Sequence, residues 1–196
     1  MRFVAVKSVQ QQSALVLHRA RDLLVRQRTK LIQALRDYLR EFGLVAPKEA
    51  WNVIRVEVPF SEVHETRVPD LLKEVVTAMI AQIRDLDGRI AHLHNRLIAW
   101  HRGNEVRRRL ATIPDIGTVT ASLISASVND AAQFRSGRHL AAWIGLAPRE
   151  FSTGGRQQLS GISKRGNPQM RSLLILQLHF FEMRAFGASL MSAAPG

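Results

Sequence analysis

The sequence contains no cysteine, which excludes a disulfide framework and any metal site built from thiolates. It also lacks a run of about 18 apolar residues, so no transmembrane helix is predicted. The first residues do not contain the apolar segment of a signal peptide, and we expect a cytoplasmic protein without a membrane partner. Aromatic residues make up only 6% of the 196 residues, whereas 46% are hydrophobic. This combination favours packing of aliphatic helices over a β-sandwich.

Acidic residues are scarce, and the chain carries a formal net charge of +12. Residues 1–46 contain 9 Lys and Arg against 3 Asp and Glu, and residues 131–196 contain 8 against 2. A partner with repeating negative charge explains this excess, because Lys and Arg release the counterions that are condensed on phosphates. The charge therefore favours a nucleic-acid partner over two alternatives, an anionic membrane surface and a basic protein without such a partner.

The N-terminal segment, residues 1–46, is predicted to be a basic helix that runs from residue 8 to residue 42. Ser8 can cap its start, and Gly43 can end it in the left-handed conformation. Apolar side chains recur in steps of three and four over residues 17–38, and Leu35, Leu39 and Phe42 widen this stripe. The basic side chains are expected mainly off the stripe. They either face solvent or, since few acidic residues accompany them, contact phosphate: Arg19, Arg26, Arg28, Lys30, Arg36 and Arg40.

Residues 47–69 contain three prolines and show little helical periodicity, so they are predicted to form a connector. A heptad helix is predicted in residues 70–109, where apolar residues recur in alternating steps of four and three from Leu72 to Trp100. Such a stripe must be buried against another helix. The partner is either the basic helix of the same chain, in an antiparallel hairpin, or the same helix of a second subunit.

The sequence LATIPDIGTVTASLISASV, which begins at Leu110, is close to a helix-hairpin-helix pattern. We expect Gly117 to let the backbone turn tightly, so that N–H groups at the start of the next helix face outward and can hold a phosphate. Gly117, Thr118 and Thr120 are the predicted contacts to the DNA backbone. The alternative is an ordinary corner between two helices.

Residues 148–167 form a segment that is rich in glycines, hydroxyls and basic side chains. Glycines leave room for a phosphate, backbone N–H groups and cations can hold its oxygens, and a hydroxyl can act as a nucleophile. The alternative is a plain β-hairpin with glycines at its turn. The residues of this segment that are predicted to bind DNA are Arg149, Gly154, Gly155, Arg156, Lys164, Arg165 and Asn167.

Four stretches resemble, in order and spacing, the C-terminal domain of the insertion-sequence-110/116/902 transposases: IPDIGTVTA, FRSGRHLAAWIGLAPRE, STGG and LSGISKRGN. The first 47 residues are similar to the middle region of that family. The predicted fold is mainly α, with a long helical hairpin or coiled coil followed by a compact helical domain. That domain, residues 110–185, would contain a helix-hairpin-helix-like motif and a glycine-rich β-hairpin or loop, and residues 186–196 would be a tail outside the family.

The resemblance implies DNA transposition or site-specific recombination by a serine nucleophile that attacks a DNA phosphodiester. The serine of the family corresponds to Ser152 here, with Thr153 as the alternative. Arg149, Arg156 and Lys164 would stabilise the charge on the phosphate. The resemblance also implies a guide RNA from the element, homo-oligomers through the helix of residues 70–100, and association with the bacterial nucleoid through DNA.

The resemblance begins at Met1 with what is normally the middle of the family's chain, and it fades after Phe186. We therefore expect that the family's N-terminal RNase-H-like domain, whose four acidic residues bind a divalent metal such as Mg²⁺, is missing. No metal site is predicted in this chain itself, which is expected to be a truncated copy that does not catalyse transposition alone. The alternatives are a non-catalytic helix-hairpin-helix accessory protein that binds DNA and a structural coiled-coil adaptor.

Overall fold

The computed structural model describes residues 6–44, 69–151 and 159–177. These residues are mainly helical, which confirms the predicted fold class, and none of their helices is long and apolar enough to cross a membrane. Most of the predicted connector, residues 47–69, and the whole predicted tail lie outside the described residues. The elements in chain order are α1 (Val9–Glu41), α2 (Asp70–Arg102), α3 (Glu105–Leu110), α4 (Thr118–Ser127), a 3-10 turn (Ala131–Gln133), α5 (Gly137–Ile144), β1 (Pro148–Glu150), β2 (Leu159–Ile162) and α6, whose described part is residues 168–177.

Helix α1 begins and ends as its sequence predicts. At the start, the Ser8 hydroxyl accepts a hydrogen bond from the Gln11 N–H at 3.2 Å. The Gln11 side-chain oxygen accepts in turn from the Ser8 N–H at 3.0 Å, which completes a capping box. At the end, Gly43 has φ +74°, and the Leu44 N–H donates to the Leu39 carbonyl at 3.0 Å. This is a Schellman-type end, which satisfies carbonyls that the helix leaves free.

The chain divides into two compact units. The helical hairpin unit comprises residues 17–96, which include most of α1 and most of α2. The C-terminal unit comprises residues 1–16 and 97–196, so the first turns of α1 belong to it.

The core of the helical hairpin unit lies between α1 and α2 of the same chain. Its buried members are Ile32, Leu35, Leu39, Leu72, Val76, Ile80 and Ile83. The heptad stripe of α2 is therefore buried in an intramolecular hairpin, one of the two arrangements that the sequence allows. On α1 the buried side chains of this core are Leu35 and Leu39 of the predicted stripe and Ile32 outside it, whereas Tyr38 within the stripe is 44% exposed. The face with the larger aliphatic side chains packs against α2 because it buries more apolar surface.

Acidic residues accompany several of the α1 cations. Arg28 forms an ion pair with Asp87 of α2 at 2.6 Å, with both side chains half-exposed. Within α1, Arg26 pairs with Asp22, and Arg40 pairs with Asp37 at 3.0 Å. The expectation that these arginines lack acidic neighbours is wrong, and Arg28 faces α2 instead of a free phosphate-binding surface.

Helix α2 ends at Arg102, earlier than the predicted heptad segment. Asn104 lies between the two helices and caps α3, because its side-chain oxygen accepts a hydrogen bond from the Arg107 N–H at 3.2 Å. The Arg107 guanidinium carbon lies 3.7 Å from the centroid of the Trp100 ring, and its Nε donates to the His101 carbonyl at 3.4 Å. A cation–π contact thus ties α3 to the end of α2.

The core of the C-terminal unit joins the start of α1 to the later helices. Its buried residues are Ala14, Leu15, Leu123, Ala126, Ile144 and Met170. The Gln11 side chain also donates to the Ser125 carbonyl at 3.4 Å. The small residues of α4 let neighbouring helices approach closely, and this core supports the elements that carry the predicted DNA contacts.

Candidate nucleic-acid interface

The segment that resembles a helix-hairpin-helix motif folds as α3, a turn and α4. The left-handed residue of the turn is Asp115, with φ +62°. Gly117 has φ −73° and ψ 167°, and a Cβ at this position would meet no atom within 4 Å. The tight turn therefore depends on Asp115, a residue type that tolerates the left-handed region, and the expected role of Gly117 in the turn is wrong.

The three predicted contacts of this motif differ in exposure. Gly117 is exposed and, as a glycine, has no side chain that could cap α4. Thr118 is half-buried. Thr120 is only 1% exposed, and its hydroxyl accepts a hydrogen bond from Gln177 Nε2 of α6 at 2.7 Å. Thr120 thus links α4 to α6 inside the unit. Its predicted contact with DNA is wrong, because the side chain is almost fully buried.

The basic, glycine-rich segment contains the predicted β-hairpin. Strands β1 and β2 are antiparallel, with Pro148 opposite Ile162 and Glu150 opposite Leu159, and the register is irregular between these pairs. The candidate nucleophiles and three predicted contacts belong to residues 152–158, which lie outside the described residues: Ser152, Thr153, Gly154, Gly155 and Arg156.

Three predicted cations come together at the base of the β1–β2 hairpin. Arg149 is exposed and donates from Nη2 to the Ser163 carbonyl at 3.1 Å, which places it beside the exposed Lys164 and Arg165. Asn167 has a different role, because its side-chain oxygen accepts from two N–H groups of the first turn of α6, at 3.0 and 3.2 Å. It therefore caps α6.

A second group of cations, at the junction of α2 and α3, was not among the predicted contacts. Arg102, Arg108 and Arg109 are exposed and form no ion pair with another described residue. Burial lowers the pKa of His101, and the nearby Arg107 and Arg108 lower it further, so the local potential is positive. The run of three arginines in the sequence is the signal that could have identified this surface.

These groups suit the binding of phosphate, since guanidinium and ammonium groups and exposed backbone N–H groups all donate to oxygen. Within the described ranges, no three His, Asp or Glu side chains lie close enough together to hold a metal ion. The described part of the interface therefore offers cations and hydrogen-bond donors for a polyanion.

Comparison with known proteins agrees with this chemistry. Over 177 residues, the chain is 41% identical to a probable family 20 transposase of Pseudomonas aeruginosa, and the match covers 89% of this chain and 52% of that protein. It is 39% identical over 176 residues to the transposase for insertion sequence element IS1111A of Coxiella burnetii, and this match covers 89% of this chain and 48% of that protein. The chain thus spans about half the length of these curated relatives.

Two further matches cover shorter parts of the chain. A pilin gene-inverting protein of Moraxella bovis is 38% identical over 68 residues, which are 34% of this chain and 21% of that protein. The model of the transposase IS116/IS110/IS902 family matches residues 107–179, which include α4, α5 and both strands. The chain therefore carries, in residues 107–179, a transposase domain of the IS116/IS110/IS902 family.

Proposed function

We propose that the chain binds DNA and takes part in the transposition or site-specific recombination of an insertion sequence. The match of residues 107–179 to the transposase family carries this proposal. The names of two relatives support it, since one is a transposase for an insertion sequence element and the other inverts a gene. Both activities rearrange DNA.

The DNA backbone would lie on the cations at the base of the β1–β2 hairpin. Arg149, Lys164 and Arg165 are exposed there. Gly117 and Thr118 would add backbone N–H groups at the start of α4. Such contacts hold a duplex without distinguishing its sequence, because phosphates are the same at every base pair. Between the two strands in the sequence, Gly154 and Gly155 have no side chain to hinder a phosphate and Arg156 adds a positive charge, so these residues would extend this surface.

Ser152 is the nucleophile in this proposal. Its place in the sequence, after β1 and before β2, supports it, together with the family resemblance. The Ser152 hydroxyl oxygen would attack a backbone phosphorus, so that a serine–phosphate bond forms while a phosphorus–oxygen bond of the strand breaks. The serine loses its proton, and the departing DNA oxygen gains one. Reversal of the same step by another DNA hydroxyl would rejoin the strand.

The divalent metal and the acidic residues that the resemblance implies would act from a part of the protein outside these 196 residues. When bound, the metal would neutralise charge on the reacting phosphate. The 196-residue chain alone is therefore expected to bind DNA without cutting it.

A chimaera tests the nucleophile and this dependence together. The part of the Pseudomonas aeruginosa transposase that precedes its match to this chain is fused to residue 1. The fusion is expressed with a plasmid that carries the relative's element with its own transposase gene inactivated. Protein–DNA adducts that survive detergent are then measured. We expect adducts with the chimaera and with its Thr153→Ala variant, but none with Ser152→Ala or with the 196-residue chain.

Each result has a distinct meaning. Adducts that persist in Ser152→Ala and disappear in Thr153→Ala would move the nucleophile by one residue. Adducts made by the 196-residue chain would contradict its dependence on the other part. A chimaera that binds DNA and forms no adduct would favour the alternative of a non-catalytic accessory protein, whose support is the cationic surface alone.

Two partners in this proposal depend on the resemblance, a guide RNA and a second copy of the chain. The heptad stripe of α2 is buried in its own hairpin, so an oligomer would use the outer surface of the helical hairpin unit. Leu23, Leu71 and Val75 are 56%, 78% and 46% exposed there. Light scattering of the purified chain and sequencing of any RNA that copurifies with it would test the two partners. A monomer without RNA would contradict both.

A further inference from the structure

Two glycines allow the end of α5 to touch the turn that follows β2. Gly145 has φ +84°, and a Cβ there would lie 1.8 Å from the carbonyl oxygen of Arg165. Gly166 has φ +89°, and its Cβ would lie 2.3 Å from the carbonyl oxygen of Trp143. Because neither position has room for a side chain, the two segments meet backbone to backbone.

The same contact determines the conformation of the turn. The Lys164 N–H donates to the Gly145 carbonyl at 3.1 Å, and the Ser163 N–H donates to the Ala147 carbonyl at 2.9 Å. Lys164 itself has φ +56°, a region that a residue with a long side chain rarely adopts. Surrounding contacts must therefore hold the turn in this conformation, in which Lys164 and Arg165 are exposed.

Arg171 of α6 supplies the side chain that joins these parts. Its Nη1 donates to the Ile144 carbonyl at 3.0 Å and to the Arg165 carbonyl at 3.1 Å. Ile144 is the last residue of α5, where a positive charge is favoured by the partial negative charge of the helix end. One guanidinium nitrogen thus links α5, the turn and α6, and the side chain is only half-exposed.

We propose that Arg171 is a positioning residue for DNA binding: it holds the turn that presents Lys164 and Arg165 to phosphate and does not itself contact DNA. This inference rests on the proposed function, because it requires that Lys164 and Arg165 contact DNA. Without the two hydrogen bonds from Arg171, fewer interactions would offset the unfavourable backbone conformation of Lys164. The side chains of Lys164 and Arg165 would then lose their defined positions.

A double-mutant cycle with the 196-residue chain tests the inference. The affinity for a fluorescent DNA duplex is measured over a series of salt concentrations. We expect Lys164→Ala/Arg165→Ala to lower the affinity by about tenfold or more and to reduce the salt slope by about two. Arg171→Met should lower the affinity nearly as much in the wild-type background, with little further loss when Lys164 and Arg165 are already Ala. Arg89→Met removes the same charge from an exposed ion pair of α2 and measures the general effect of charge.

Two more substitutions separate position from charge and from folding. Gly166→Ala changes no charge but displaces the turn. Like Arg171→Met, it should lower the affinity in the wild-type background and cause little further loss in the Lys164→Ala/Arg165→Ala background. Gly161→Ala is its matched control, because a Cβ at this position of β2 meets no atom within 4 Å. Arg171→Lys keeps a charged donor and should recover part of the affinity. Thermal unfolding of each variant identifies any that fail to fold.

The outcomes distinguish this inference from the proposed function. If Arg171→Met lowers the affinity equally in both backgrounds, or in neither, Arg171 does not position the turn and the inference is overturned while the DNA surface stands. If Lys164→Ala/Arg165→Ala leaves the affinity and the salt slope unchanged, the proposed DNA surface fails and the inference fails with it.

Discussion

Three arginines of this chain that are not fully exposed have three different kinds of partner. Arg28 pairs with a carboxylate, Arg107 lies on the face of Trp100, and Arg171 donates to two backbone carbonyls. A chain with few acidic residues can use aromatic faces and carbonyl oxygens for its inner guanidinium groups. The positive charge of such groups is then not neutralised, so it adds to the attraction for a polyanion.

His18 should make the stability of the chain sensitive to acid. It is 1% exposed, and burial, assisted by Arg21, lowers its pKa from 6.5 to about 4. Between these values the unfolded chain binds a proton that the folded chain excludes. The free energy of unfolding should therefore fall as the pH decreases from 6.5 to about 4, by about 3 kcal/mol at most.

Denaturant unfolding at several pH values in this window checks the effect of His18. His18→Gln should reduce the pH dependence, whereas His92→Gln, at an exposed position of the same hairpin unit, should leave it unchanged. Equal pH dependence in the wild type and in His18→Gln would show that another group is responsible.

At the scale of the elements, α1 has two apolar faces and only one of them is the core. Leu35 is 2% exposed within the core of the helical hairpin unit, whereas Leu23 is 56% exposed. We expect Leu35→Ala to lower the free energy of unfolding by about 2–5 kcal/mol, because it removes buried methyl groups and leaves a cavity. Leu23→Ala should change it by about 0.5 kcal/mol or less.

Denaturant unfolding of the two variants compares the faces directly. A larger loss for Leu23→Ala than for Leu35→Ala would mean that the face of α1 that carries Leu35 does not pack against α2.

At the scale of the whole molecule, charge is distributed differently in the two units. In the helical hairpin unit, five arginines or lysines have aspartate partners: Arg26, Arg28, Arg40, Lys73 and Arg89. Exposed cations that form no ion pair with another described residue occur in both units, for example Arg19 and Lys30 in the helical hairpin unit, but at the junction of α2 and α3 in the C-terminal unit three arginines of this kind lie close in the sequence. This group of arginines is therefore the better candidate for contact with phosphate.

The salt dependence of DNA binding should reveal this difference between the units. Arg108→Ala/Arg109→Ala should lower the salt slope by about two, since each exposed cation that contacts a phosphate adds roughly one. The matched pair Arg26→Ala/Arg89→Ala should change it less, because both arginines are exposed but paired with aspartates. Fluorescence anisotropy over a series of salt concentrations measures both slopes. Equal slopes for the two double variants would assign the DNA surface to neither unit in particular.

Several parts of the fold could be predicted from the sequence because they depend on neighbouring residues. Ser8 and Gln11 form a capping box within four residues, and Gly43 ends α1 through the conformation of its own backbone. The heptad stripe of α2 follows from helical periodicity. The charge and the motifs likewise indicated a DNA-binding transposase, and the family comparison bears this out at the level of the family.

The rest depended on which segments meet in three dimensions. Periodicity could not decide between two apolar faces of α1, because the choice depends on the aliphatic area that α2 offers. It could not assign the tight turn to Asp115, the Thr120 hydroxyl to Gln177, or Arg171 to the Ile144 carbonyl at the end of α5. The last two contacts join residues far apart in the chain, and they arise only when the core of the C-terminal unit brings α4, α5 and α6 together. The sequence alone determined the helical class, both ends of α1 and the family of the transposase domain, whereas the tertiary structure decided which polar side chains are free to contact DNA.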